Sequence, residues 1–208
     1  SAAQVRSLSV TQVAAIETAD IQVLATVGVA AFGSAQAGSL STNQVSALTT
    51  GQIRSLTTTA IHGFTTAGIA ALSATQFGAL TTTQLAAITS ADLVNLTSSQ
   101  ASVLSTSQVR GLLPDELAVM TTGAISALST AGIAVLTTAQ VSSLSTASVA
   151  ALTTAQVAVM GATQIRGLSA TQVASMETAD LAVLSTVAVA TLTTDHVAAL
   201  ATGQLRAL

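Results

Sequence analysis

Apolar residues recur along this chain with a period of eight. Cut from its first residue, the sequence reads SAAQVRSL, SVTQVAAI, ETADIQVL and onward to ATGQLRAL, 26 octads over 208 residues without insertion or deletion. Numbering the octads 1 to 26 puts the end of octad n at residue 8n. Position eight is a large apolar residue throughout. Position five is apolar throughout, and small only at Ala37 and Ala101. Position one is Ser or Thr in 19 octads, and position four is Gln, Asp or Glu in 18.

This pattern writes a helix start into every octad. A hydroxyl at position one with a longer polar side chain at position four has the spacing of a capping box. The hydroxyl accepts the backbone N–H three residues on, and the longer side chain reaches back to the cap. The apolar residue before the cap and the one at position five stand at the two ends of a hydrophobic staple. Positions two to seven then complete one or two helical turns. One continuous helix is excluded, because eight residues make roughly 2.2 turns and the apolar stripe would rotate by about 80° per octad. A β-solenoid is the rival, since Thr and Val favour strands. It would send positions five and eight to opposite faces, and no regular Gly or Asn column marks its corners. The expected fold is therefore all-α: a solenoid or superhelix of very short helices built from 26 octapeptide repeats, positions five and eight inside, as a single uninterrupted octapeptide-repeat array over 1–208. One octad cannot fold alone, because a helix of one turn does not offset the cost of nucleating it. Neighbouring octads must stack, with nearest-neighbour stabilisation.

The only proline tests the frame. In LPDELAVM, Leu113 falls at the cap position and Pro114 at the first helical position, where its missing N–H would be unsatisfied anyway. Asp115 and Glu116 follow in the first turn, where acids favour the helix dipole. The proline obeys the repeat.

Composition narrows the function classes. There is no Cys, Trp, Tyr or Lys, and Phe32, Phe64 and Phe77 all fall in the two apolar columns as core fillers. Charged residues are 6% of the chain and the formal net charge is −3, which leaves no basic footprint for a phosphate backbone, so no nucleic acid is expected as partner. Ser, Thr or Gln interrupts every apolar run well before the roughly 18 residues of a spanning helix, so the chain reads as soluble and not membrane-spanning. The first octad shows neither the basic nor the apolar region of a signal peptide.

Few residues stand out against the repeat. Arg6, Arg54, Arg110, Arg166 and Arg206 all occupy position six. They mark a solvated column or, in the sharper reading, a row contacting a neighbouring strand. The pairs Glu17/Asp20 and Glu177/Asp180 lie in matching ETAD octads 160 residues apart and read as acidic helix starts. A metal role has no third recurring ligand to support it. His62 at position six and His196 at position four lack an acidic or cysteine constellation, and no serine sits in a nucleophile elbow. No catalytic, cofactor-binding or metal residue is therefore assigned, and no enzyme is expected.

Stretches such as STAGIAVLTTAQVSSLSTASVAALTTAQVAVM resemble the Thr/Ala/Gln/Leu-rich short-repeat arrays of giant bacterial secreted or surface proteins, often adhesin-like and exported by type I machinery. The resemblance implies an extracellular or cell-surface setting and a structural or adhesive role, and carries over no functional residue. The calcium-binding Gly-Asp nonapeptides of many exported proteins are absent. The expected function is that of an extracellular fibre, filament or stalk that associates with copies of itself, head to tail or laterally. The alternatives are an adhesin spacer segment and a solenoid binding module for ice, a glycan or a peptide.

Overall fold

A computed structural model describes all 208 residues. It contains 26 short helices, one per octad, and no strand, so the all-α reading holds and the β-solenoid does not. Each helix has four to six residues, as in Thr26–Val29 and Thr42–Ala47.

Local chemistry accounts for both ends of the typical six-residue helix. Position one is extended: Ser41, at φ −69 and ψ 161, accepts from the Gln44 N–H while the Ser41 N–H donates to the Gln44 side-chain oxygen at 2.7 Å. Position five closes the first α-type bond back to position one, as Val45 N–H does to the Ser41 carbonyl at 2.9 Å. In most six-residue helices position eight then returns to extended geometry, Leu48 having φ −61 and ψ 135, while its N–H donates to the position-five carbonyl at 3.1 Å. Two consecutive extended residues thus stop one helix and begin the next. No residue needs positive φ, which is why no glycine column marks the junctions.

The proline octad follows the same plan. The helix Pro114–Val119 has proline in its first turn and Leu113 at the cap. Leu113 contributes no side-chain bond, but Glu116 still accepts the Leu113 N–H at 2.7 Å, so half of the capping box survives.

The chain forms two compact bodies, Ser1–Val103 and Leu104–Leu208. In the first, each helix packs on the third helix after it: Ser34–Gly38 on Thr58–Gly63, Thr42–Ala47 on Thr66–Ala71, and Ala74–Gly78 on Ser98–Ser102. The second repeats the rule, with Pro114–Val119 on Thr138–Ser143 and Ala170–Ala174 on Thr194–Ala199. Positions five and eight supply the core of each, from Val13 and Ile53 to Val109 and Val157, all fully buried. Phe32, Phe64 and Phe77 are buried among them, as expected of core fillers.

Close packing of helix on helix sets some residue choices directly. A Cβ on Gly63 would collide with the backbone of Ser34, and one on Gly38 would lie 2.7 Å from the Gly63 carbonyl oxygen. Only glycine lets Ser34–Gly38 and Thr58–Gly63 approach so closely. No helix is long and apolar enough to cross a membrane.

Candidate functional site

The most repeated polar feature is position four, which is buried in most octads that have an earlier coil against them. Eleven glutamines there place their Nε2 amide 2.6 to 2.9 Å from the position-eight carbonyl oxygen of the octad four earlier: Gln36, Gln44, Gln52, Gln76, Gln84 and Gln100 in the first body, Gln140, Gln156, Gln164, Gln172 and Gln204 in the second. Most also donate to the position-five carbonyl of that octad. Gln52 is typical: Nε2 donates to Ile21 at 2.7 Å and Leu24 at 2.8 Å, while Oε1 accepts the Thr49 N–H at 2.7 Å. One amide therefore caps its own helix and satisfies the last carbonyls of a helix one coil away.

The pitch of each body follows from these two neighbours. An octad packs on the helix three octads away and hydrogen-bonds to the one four octads away, so a turn of the coil takes between three and four octads. Where position four is Gln, its amide satisfies orphan C-terminal carbonyls of the helix four octads earlier.

The second half of this role was missed from the sequence, although a signal for it exists. Gln fills position four in 14 octads and Glu in one. A capping box alone is served by either, and the helix dipole favours Glu. Preference for the amide means that a donor is needed as well as an acceptor.

His196 confirms that reasoning. It occupies position four, its Nδ1 accepts the Thr193 N–H at 3.2 Å, and its Nε2 lies 2.8 Å from the Leu168 carbonyl oxygen. A carbonyl only accepts and the Thr193 N–H only donates, so the ring is the neutral Nε2–H tautomer and reproduces both ends of a glutamine. His62, in contrast, is exposed at position six, with Nδ1 3.4 Å from the Ala87 carbonyl. The two histidines share no site.

The remaining candidates are dispersed. All five arginines are exposed, in agreement with a solvated column. No group of three or more His, Cys, Asp or Glu side chains is placed to hold a metal ion. Glu17 and Glu177 stand at helix caps without a side-chain cap bond, and the ETAD twins diverge at the fourth residue: Asp20 is exposed and Asp180 buried.

Glu116 is the one glutamate in the buried column. Burial raises its pKa above the ordinary value of 4.5, and the Leu113 N–H bond lowers it in part. The fold thus favours the protonated acid. This contribution to stability is complete below about pH 4.5 and is lost as pH rises through the higher folded value. Glu116→Gln removes the charge and keeps the acceptor for Leu113. The variant is expected to melt at a higher temperature than the parent at pH 7, with the difference shrinking as the pH falls through the raised folded value and gone below about 4.5. A parent chain equally stable to its variant across that range would show that the carboxyl is ionised in the fold at no cost.

The family described as the ALTTAQ repeat matches residues 13–50, 47–82, 114–146 and 173–208, together more than half of the chain. No curated protein matches it.

Proposed function

The chain belongs to the ALTTAQ repeat family, and on that premise we propose that it is a structural repeat protein whose function is its coil: an extracellular fibre, filament or stalk segment that associates with copies of itself. The observation that carries the reading is the glutamine ladder. Every coil in the interior of a body donates amides to the carbonyls of the coil before it. Any two coils in this register carry complementary halves, position-four amides on one and position-eight carbonyls on the other, and the side chains of Gln4 and Gln12 are exposed. A second copy stacked in the same register pairs these groups and adds apolar burial at positions five and eight. Such a head-to-tail contact does not close on itself, and so it builds a filament. The extracellular setting rests on the resemblance to surface-protein arrays, and the reading includes no reaction and no nucleic acid.

Electron microscopy of the purified chain at high concentration tests it. Long fibres are expected, with Gln4→Glu together with Gln12→Glu shortening them, because each glutamate sets a carboxylate against carbonyl oxygens. Monodisperse single chains at high concentration would overturn self-association.

A further inference from the structure

Asp180 is the one buried side chain whose polar atoms bond to nothing: it is 1% exposed, and both carboxylate oxygens lack a partner. Its surroundings follow from its place in the ladder. Asp180 is position four of octad 23. On one side of it in sequence, Gln172 donates to the carbonyls of Val141 and Leu144; on the other, His196 reaches Leu168 and Gln204 reaches Met176. Each contact spans four octads. The same step from Asp180 lands on octad 19, whose position-five and position-eight carbonyls belong to Val149 and Leu152.

A third group comes from the sister aspartate of the first body. Asp92, also at position four, accepts the Thr89 N–H and the hydroxyl of Thr66, 26 residues earlier, at 2.7 Å. The threonine 26 residues before Asp180 is Thr154, on the helix Thr154–Ala158 that packs against Thr178–Leu181. By that register carbonyl and hydroxyl oxygens face Asp180, and no donor hydrogen-bonds to it. A carboxylate has no hydrogen to give to a carbonyl, and a buried charge without a counter-charge is unfavourable by several kcal/mol. The chain has no lysine, and its arginines are exposed.

We propose that Asp180, the carbonyl oxygens of Val149 and Leu152 and the Thr154 hydroxyl form a binding site for a small monovalent cation, with sodium the best fit. The all-oxygen set selects a hard cation. One carboxylate neutralises one positive charge, whereas a divalent ion would leave a net charge buried and wants six to eight oxygens. The cation takes the place of the glutamine amide: it bridges two coils by attracting the same two carbonyls. Asp20, the twin in the first ETAD octad, is exposed.

Thermal unfolding of the full chain in sodium chloride and in choline chloride of equal ionic strength tests the assignment. The parent is expected to melt several degrees higher in sodium, with a saturable dependence on its concentration. Asp180→Gln, which restores the amide of the other octads, is expected to lose the difference between the salts and to be at least as stable as the sodium-bound parent. Thr154→Ala is expected to weaken the apparent sodium affinity severalfold. Equal melting of the parent in the two salts, or a sodium effect that persists in Asp180→Gln, would overturn the site. Stabilisation by calcium chloride but not by sodium chloride would overturn the monovalent assignment.

Discussion

Leu136→Asp is expected to destabilise the chain by more than about 4 kcal/mol, while Ala134→Arg two residues away changes stability by less than about 0.5 kcal/mol. Leu136 is buried at position eight, and its carbonyl accepts the amide of Gln164 at 2.9 Å. Aspartate there loses the apolar contact and places an unpaired carboxylate in a seam that has no cation to meet it. Ala134 is exposed at position six, the column in which five octads already carry arginine. Urea unfolding followed by helical circular dichroism measures both. Equal damage from the two substitutions would mean that the inner and outer columns are misassigned.

The second large effect concerns the ladder. Gln52→Glu is expected to cost about 3 to 5 kcal/mol at neutral pH. The substitution is nearly isosteric and keeps the acceptor that holds the Thr49 N–H. It removes the Nε2 donor to Ile21 and Leu24 and puts a charge in its place, in a residue that is 1% exposed. Alanine leaves the same carbonyls and also the Thr49 N–H unpaired, at about 1 to 3 kcal/mol for each orphaned group, but adds no charge. If glutamate proved as stable as glutamine, capping alone would explain position four and the bond between coils would contribute nothing measurable.

These two substitutions divide what was legible in the sequence from what was not. Column eight as core could be read from repetition alone. The capping half of column four was equally plain, because Ser41 and Gln44 meet across three residues and need no tertiary partner. The bridging half joins Gln44 to Ile16, 28 residues away, and no pattern within an octad says which earlier octad lies beneath. The preference for Gln over Glu showed that a donor was wanted; it did not show where the acceptor stood. The same blindness covers the ETAD twins. Their sequences match, but Asp180 is buried and Asp20 exposed.

By itself, then, the sequence determined the octad, the start of every helix, the all-α class and the two apolar columns. Each of these rests on bonds that close within about four residues, where spacing is geometry. The tertiary structure decided the number of octads per turn, the division into Ser1–Val103 and Leu104–Leu208, the burial of column four and the glycine at 63. Those depend on how tightly one short helix settles on another three or four octads away. Side-chain volumes summed over a whole coil set that distance, and no single octad encodes it.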